Sequence, residues 1–588
     1  MKRLLYILTG LFLLAQFAAC KKGYLERRPL DQYDGTAVWS DLELMKAFTN
    51  NIYSGLPQEI NARMMMTSLT DESMFNSGAG SDAATNSLIT PSDYAIFDQL
   101  PVQQAMRWET VYKQVRACNL FLEEAEKHTY DDKAKKDQLT GQVFFLRAYY
   151  YYILTFMYGG VPIITKTYGL TDEFLTPRNT FEDCIKFITD DCNKAAALLP
   201  LTQTGSNYGR VTQGAALALK ARVLLYAASD LYNSNGSWAT GYGHPELIGY
   251  VGGDRSSRWK AAKDAAKAVI DLGVYSMVKP TPAPGEDIAK NYAQIFLSLK
   301  TTEDIFVRVF DQATIGGQGI DFTNSPGGWG GWGNTDPTSQ FADAFEMKDG
   351  TSFDWNDPVK AEDPYKNREA RFYADINYEG APWRPRPANG QGLDPVGVIQ
   401  VGFYQQADKS WVSGLDTRSS PVAAFAGTYT GYFMRKFIDP AVVIPFQKQN
   451  YPWRFIRYSE MMLTYAEACA QLGEEAEAQK YINMIRERAG LPKISTTGSK
   501  LIESVMHERQ IELAFESQRY FDIRRWMIAP KVMTNAKAID IRLPYTQKKP
   551  TYKIIDIQNR HWENKSYFMP IRLSEMNKNK MLIQNPLY

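Results

Sequence analysis

The stretch from residue 453 to residue 526 constrains the fold of this chain most, because its apolar residues recur at helical spacing. They form two stripes on either side of a turn at Gly473. The stripes comprise Met462, Tyr465, Ala466 and Cys469, and then Ala478, Ile482, Ile485 and Ala489. Gly490 suits a left-handed helix end, and Pro492 prevents the helix from continuing. Small residues at the seam let two antiparallel helices approach closely, which predicts a hairpin of the tetratricopeptide type.

A third helical segment follows and is strongly charged. Glu508, Glu512 and Glu516 share one face, and the segment ends in the aromatic and basic run of residues 520–526. Charged pairs of this kind more often join helices together than bind a ligand. We therefore expect the acidic face and the Arg524-Arg525-Trp526 run to have a structural role.

Similar helical patterns occur earlier in the chain. Apolar residues recur at helical spacing over residues 40–52, 103–127, 132–158, 212–232 and 258–272. Ser40 and Glu43 match a capping box, and Thr180 with Asp183 marks the start of another helix. Helices that alternate in this way predict several hairpins stacked side by side.

The pattern changes from about residue 279, where prolines and glycines interrupt the helical spacing. Residues 303–311 alternate like a strand, and residues 431–438 are a second strand candidate. The region is too long to be one structureless loop. The sequence therefore predicts a mainly α fold: a tetratricopeptide-like scaffold of helical hairpins that carries an irregular, loop-rich lobe with short strands.

The N-terminus has the pattern of an export signal. Lys2 and Arg3 precede an apolar run that is too short to span a membrane comfortably, and Ala18-Ala19-Cys20 closes it with small residues and a cysteine. This junction resembles a bacterial lipobox, which implies cleavage before Cys20 and lipidation of that residue. An ordinary secretory signal with an incidental cysteine is the alternative.

The expected division of the chain follows from these patterns. Residues 1–19 are a signal peptide, 20–38 a lipidated tether, 39–278 an N-terminal helical region, 279–452 an irregular ligand-facing lobe, and 453–588 C-terminal helical hairpins with a docked tail. Cys184 and Cys192 share one predicted helix about 12 Å apart, beyond disulfide reach. We expect them, like Cys118 and Cys469, to be buried thiols.

Composition and motifs exclude several classes of function. The net charge of +1 gives no attraction for nucleic acid. The chain has no nucleophile elbow, phosphate-binding glycine loop, CxxC pair or HExxH motif, and its four histidines are scattered. We therefore expect no catalytic residue, no metal site and no cofactor. A pair of catalytic carboxylates remains open, since acidic residues are abundant.

Trp329 and Trp332 are the main candidates for ligand contact. They lie in a segment with seven glycines between Gly316 and Gly331, where few neighbouring side chains are available to bury the rings. Indole faces suit the apolar faces of sugars, and Asn324, Asn334 and Asp336 would supply hydrogen bonds to hydroxyl groups. The alternative is that one or both indoles fill the core of the lobe.

Several long phrases resemble the SusD/RagB family. They are RYSEMMLTYAEA followed by IRERAGLP and RYFDIRRW, FFLRAYYYYILTFMYGGVPIIT, YLERRPLDQY near the start and YFMPIRLSEMNKNKMLIQNPLY at the end. The resemblance covers residues 20–588. It implies a non-enzymatic lipoprotein on the outer membrane of a Bacteroidetes-type bacterium, facing the cell exterior. Such a protein binds oligosaccharide and passes it to a SusC-like TonB-dependent barrel transporter.

Two further segments are weaker ligand candidates. The segment that contains Asp71, Phe75 and Asn76 resembles a family segment near the ligand face, although its composition favours a turn with an Asx cap. Trp383 stands among prolines and arginines, and either a ligand-lining role or a fixed turn suits it. Peptide binding, a surface glycan hydrolase and a scaffold that binds only proteins remain as alternative functions.

Overall fold

A computed structural model describes residues 35–60, 62–77, 81–169, 171–310, 319–442, 449–547 and 549–588. The expected signal peptide, Cys20 and all but the last four residues of the expected tether lie outside these ranges. The end of that tether, expected to lack helical structure, is helical from Gly35.

Helices dominate the first half of the described chain. They are α1 (Gly35–Ser40), α2 (Leu42–Ser54), α3 (Ser81–Thr85), α4 (Ile96–Gln99), α5 (Pro101–Ala105), α6 (Trp108–Lys127), α7 (Lys133–Tyr158), α8 (Phe181–Leu198), α9 (Gln213–Ala228), α10 (Arg255–Asp271) and α11 (Ile288–Phe296).

The lobe has short helices, and longer helices follow it. Those of the lobe are α12 (Ile320–Asn324), α13 (Ser339–Ala344), α14 (Pro358–Glu362), α15 (Ala370–Asp375) and α16 (Ala388–Gln391). The later helices are α17 (Tyr458–Gln471), α18 (Glu475–Arg488), α19 (Gly498–Glu512), α20 (Arg519–Arg525), α21 (Ala529–Val532) and α22 (Leu573–Lys578).

The long helices form one continuous stack. Helices α6 to α10 pack in sequence order, α10 packs against α17, and α17 packs against α18 and α19. The seam residues Ala466 and Ala478 are fully buried, and Gly473 and Gly490 have positive φ. The predicted scaffold of helical hairpins is confirmed, and the contact between α10 and α17 shows that the stack continues across the lobe.

Side-chain caps fix several helix starts. Thr180 and Asp183 form the reciprocal capping box at the start of α8. The capping box predicted at Ser40 is wrong, because Asp41 occupies the N-cap of α2 and accepts hydrogen bonds from the backbone N–H groups of Glu43 and Leu44. A carboxylate one residue later competes successfully for the same free N–H groups.

Short β-ladders tie the lobe together and to the scaffold. The strands are β1 (Ser73–Phe75), β2 (Asp304–Arg308), β3 (Thr335–Pro337), β4 (Ile376–Asn377), β5 (Phe403–Gln405), β6 (Trp411–Ser413), β7 (Phe433–Met434), β8 (Trp453–Arg457), β9 (Ala536–Leu543) and β10 (Thr551–Gln558). β1 pairs with β3, β2 with β8 and β4 with β7, and a four-stranded sheet has the order β10-β9-β5-β6. These ladders are antiparallel except for the parallel pair of β5 and β9.

The two predicted strands are only partly present. The strand expected over residues 303–311 is β2, which is five residues long. Of residues 431–438 only Phe433 and Met434 are strand. The chain turns there because the N–H groups of Arg435 and Lys436 both donate to the carbonyl oxygen of Asp375, and Phe437 has a φ of 68°.

A buried ionic network joins the scaffold to the lobe. Arg457 donates to the carboxylates of Glu512 at 2.6 Å and Glu516 at 2.7 Å. Arg371 of the lobe donates to Glu508 at 2.6 Å, and Lys436 of the lobe donates to Glu516 at 2.9 Å. The structural role predicted for the acidic face is therefore confirmed.

The basic run after this face is structural as well. Arg525 makes two hydrogen bonds to Glu467 and one to Asp522, and all three side chains are buried. The indole of Trp526 also donates to Glu467, at 2.7 Å. Cys118, Cys184, Cys192 and Cys469 are buried free thiols, as predicted.

Candidate ligand-binding face

Trp329 lies in the interior of the lobe. Its side chain is 0% exposed, and its indole N–H donates to the carbonyl oxygen of Arg384 at 2.9 Å. The guanidinium of Arg386 lies 3.6 Å from the centre of the ring, and Trp383 meets it edge to face at 6.5 Å. The prediction that the Trp329 ring is left uncovered is therefore wrong. In this conformation neither face of the ring is open to a ligand.

The neighbouring glycines explain this outcome. A Cβ atom at Gly327 would lie 2.8 Å from the backbone oxygen of Ala426, and one at Gly328 would lie 2.0 Å from Arg386. A Cβ atom at Gly331 would lie 2.1 Å from the carbonyl oxygen of Ser325. The glycines therefore let other segments close over the Trp329 ring, rather than leaving it uncovered.

Trp332 has a different environment. It is partly exposed, and its ring meets that of Phe322 edge to face at 5.2 Å. The guanidinium of the exposed residue Arg63 lies 5.9 Å from the centre of the Trp332 ring. This tryptophan therefore offers part of a ring face beside a cation at the surface.

Asn76 connects the Trp332 loop to a second surface loop. Its side-chain N–H group donates to the carbonyl oxygens of Gly333 at 2.9 Å and Gly427 at 3.2 Å. Its side-chain oxygen accepts a hydrogen bond from Arg418 at 3.0 Å. Asn76 is itself buried and holds the two loops in a fixed relation.

The second loop adds two exposed rings. Phe425 is 71% exposed and Tyr429 is 42% exposed. Arg418 donates to the carbonyl oxygen of Phe425 at 2.6 Å, and its guanidinium lies 4.3 Å from the centre of the Tyr429 ring. We use the name aromatic platform for the set formed by Arg63, Phe322, Trp332, Arg418, Phe425 and Tyr429.

Three predicted site residues lie buried beside this platform. Asn324 donates to Thr323 at 3.0 Å, and Asn334 donates to the carbonyl oxygen of Arg63 at 2.8 Å. Asp336 accepts from the backbone N–H of Tyr429 at 2.9 Å, and burial raises the pKa of Asp336 well above its usual range. In this conformation the three side chains stabilise the platform loops, and they are not exposed for hydrogen bonds to a ligand at the surface.

The predicted segment around Asp71 meets the tryptophan segment in the structure. Phe75 pairs with Thr335 in the β1–β3 ladder, and its ring is buried. Asp71 accepts two hydrogen bonds from Arg519, at 2.8 and 2.6 Å, which ties it to α20. Of the three residues expected here, Asn76 is the one in direct contact with a platform side chain.

Trp383 belongs to the packing around Trp329. It is only partly exposed, and the guanidinium of Arg435 lies 5.4 Å from its ring. The neighbouring Arg386 is buried in ion pairs with Asp394 and Asp416. This arrangement matches the fixed turn that the sequence left open as an alternative.

Sequence reasoning missed most of the platform. Arg63, Phe322, Arg418, Phe425 and Tyr429 belong to no motif and come from three separate segments. The partner of Arg418 at Asn76 is 342 residues away. The one available sequence signal for the second loop was the aromatic and glycine content of residues 425–433, which is weaker than that of the tryptophan pair.

Among the helices of the described residues, none combines the length and the hydropathy that a membrane-spanning segment requires. Within the same ranges no group of three histidine, cysteine or acidic side chains is arranged to hold a metal ion.

Sequence models of one family match both halves of the chain. A model described as the SusD family matches residues 302–588, and one described as starch-binding associating with outer membrane matches residues 24–225. A SusD-like protein of Bacteroides ovatus is 27% identical over 40% of this chain and 41% of its own length. A SusD-like protein of Formosa agariphila is 21% identical over 73% of each chain.

Solved structures give the same result. A SusD-like protein of Bacteroides fragilis superposes with a TM-score of 0.75 at 28% identity, covering 96% of this chain and all of its own. A surface glycan-binding protein of Bacteroides thetaiotaomicron has a TM-score of 0.60 at 18% identity, covering 94% of this chain and all of its own, a likeness of fold alone. The two family models and the shared fold identify this chain as a member of the SusD/RagB family.

Proposed function

We propose that this chain is a non-enzymatic, lipid-anchored protein of the outer cell surface that binds an oligosaccharide and delivers it to a partner TonB-dependent transporter. The aromatic platform is the observation that supports oligosaccharide binding. There the rings of Trp332, Phe425 and Tyr429 are accessible beside arginine side chains. The family membership and the relative named as a surface glycan-binding protein support the same reading.

The platform suits reversible capture. Aromatic rings stack on the C–H faces of sugars, and each such contact contributes on the order of 1 kcal/mol beyond burial. Trp332, Phe425 and Tyr429 come from loops that Asn76 and Arg418 hold together, so that little ordering accompanies binding. An open surface with a few such contacts gives modest affinity, which a protein that must release its ligand to a transporter requires.

The rival functions have less support. A glycan hydrolase needs two carboxylates about 5–10 Å apart across the substrate, whereas the accessible groups of the platform are rings and arginines. The carboxyl group of Asp336, which contacts the platform, is buried and already bonded to the Tyr429 backbone. A peptide ligand would also stack on these rings, and the test must include one.

The test is the Trp332→Ala variant, with Trp411→Ala as the matched control. Trp411 is also a partly exposed tryptophan, but it lies on β6 in the four-stranded sheet. We expect Trp332→Ala to weaken binding about fivefold or more against the best ligand of a panel of oligosaccharides and peptides, measured by calorimetry, because one stacking contact is lost.

Trp411→Ala should bind that ligand normally, and the melting temperatures of both variants should stay near that of the unmodified protein. Unchanged affinity in Trp332→Ala would remove the platform from the site. A best ligand that is a peptide would favour the peptide-binding alternative.

A further inference from the structure

The charged groups of the platform are all cations, and the described residues supply no carboxylate to neutralise them. Arg63 makes no ion pair within the described ranges, and its side chain lies near the Trp332 ring. Within the same ranges the Arg418 side chain donates to neutral oxygens alone, those of the Asn76 side chain and the Phe425 backbone.

Other arginines of the lobe show two kinds of contact. Arg386 pairs with two aspartates, and Arg371 pairs with three glutamates. Arg368 instead donates to three backbone carbonyl oxygens. Arg63 and Arg418 combine the absence of an ion pair within the described residues with a position beside the accessible rings.

Arg418 acts on the pKa of Asp336, but the carboxyl group of Asp336 does not supply a counter-charge at the surface. Its side chain is fully buried, and one of its carboxyl oxygens accepts from the Tyr429 backbone. Burial raises the pKa of Asp336 well above its usual range, although the positive charge of Arg418 opposes this. The positive charge of Arg418 thus remains available to a ligand.

We propose that the platform binds an anionic oligosaccharide, one that carries uronate carboxylates or sulfate esters. This inference rests on the proposed function and narrows its ligand class. Guanidinium groups bind carboxylate and sulfate oxygens through paired, charge-assisted hydrogen bonds. Arg63 and Arg418 stand beside different rings, Trp332 and Tyr429, so two of the three accessible rings have a cation next to them.

The experiment compares three probes of equal length with the protein truncated before residue 21. They are an oligogalacturonate, which carries carboxylates, a sulfated galactan oligosaccharide, which carries sulfate esters, and a neutral malto-oligosaccharide. We expect one acidic probe to bind about tenfold or more tighter than the neutral probe at low salt, and this preference to shrink as salt is added.

Two charge variants locate the effect. Arg63→Gln and Arg418→Gln should each weaken binding of the acidic probe about fivefold or more, and should weaken binding of the neutral probe by a smaller factor. Arg542→Gln is the control, since Arg542 also lies over aromatic rings, those of Phe403 and Trp411, but on β9 and β5–β6. Melting temperatures of all three variants identify any loss of binding that results from unfolding.

Each outcome has a distinct meaning. Preference for the carboxylate probe or for the sulfate probe decides which acid the site takes. If the neutral probe binds as tightly as both acidic probes, and its binding is weakened in Trp332→Ala, this inference is overturned and the proposed function stays intact. Binding of no oligosaccharide, with Trp332→Ala indistinguishable from the unmodified protein, would overturn both.

Discussion

At the scale of single residues, Trp329 and Trp332 show how similar sequence surroundings give opposite environments. Both tryptophans stand between glycines. The Trp329 ring is covered by Arg386 and Trp383, whereas the Trp332 ring lies at the surface beside Arg63. The difference depends on which distant segments pack against the glycines, where no Cβ atom keeps them away. The folded chain determines which segments these are.

Trp329→Ala should therefore reduce stability. The change removes a fully buried indole, its hydrogen bond to the Arg384 carbonyl and its contact with Arg386. We expect a loss of about 3–5 kcal/mol in the free energy of unfolding, measured in urea. Trp332→Ala, which empties no core position, should lose about 1 kcal/mol or less. Equal stability losses in the two variants would contradict this distinction.

The platform was predictable from sequence only in part. Trp332 was a candidate because its ring stands among glycines, and Asn76 was a candidate because its segment resembles a family segment near the ligand face. Arg63 and Arg418 were not identified, because a lone arginine in a loop carries no local signal. Whether such an arginine is available to a ligand depends on whether a carboxylate lies nearby. The arrangement of distant loops determines this.

At the scale of elements, the long helices were the most predictable part of the chain. Their periodicity and caps act locally, and α17 begins at Tyr458, where the helical pattern was expected to resume. The tyrosines of α7 were not predictable in the same way. Residues 149–152 are four consecutive tyrosines, and a single helix cannot turn all of them towards one neighbour. All four are nevertheless buried, because several other elements pack around α7.

The acidic face of α19 has a further consequence for stability. Burial alone would raise the pKa of Glu512, but Arg488, Arg457 and Arg371 outweigh this effect and hold the pKa of Glu512 below its usual range. A carboxylate with a lowered pKa stabilises the fold above its unfolded pKa, and this contribution is lost as the pH falls through the folded pKa.

Glu512→Gln should lower the free energy of unfolding by about 3 kcal/mol or more near neutral pH, because it leaves three buried arginines short of one counter-charge. The loss of stability from about pH 5 to about pH 3 should be smaller in the variant than in the unmodified protein, since one group no longer titrates. Urea unfolding at several pH values measures both effects.

Asp190→Asn is the control for this prediction, because Asp190 pairs with Lys186 in an exposed position on α8. It should change stability by less than about 1 kcal/mol. A variant of Glu512 as stable as the unmodified protein at neutral pH would mean that the network contributes no net stability.

At the scale of the whole molecule, the lobe is an insertion in a helical stack. Helix α10 precedes the lobe and packs against α17, which follows it, so the scaffold is continuous in space although interrupted in sequence. The network of Arg457, Arg371 and Lys436 links both sides of this junction. The sequence predicted the existence of a lobe from its prolines and glycines. The β1–β3 ladder, however, joins Ser73 to Pro337, and so distant a pairing had no local signal.

The anchoring of this molecule is proposed from its N-terminus, where Ala18-Ala19-Cys20 resembles a lipobox. A single lipid-modified cysteine would hold the folded body at the membrane, and residues beyond it would act as a tether. We expect Cys20→Ala to abolish labelling with a radioactive fatty acid and to release the protein from the membrane fraction of cells. Cys118→Ala, which changes a buried thiol, should leave both lipid labelling and fractionation unchanged. Persistence of label and of outer-membrane fractionation in Cys20→Ala would contradict the anchor, whereas loss of label with retained fractionation would indicate that the partner transporter itself holds the protein at the membrane.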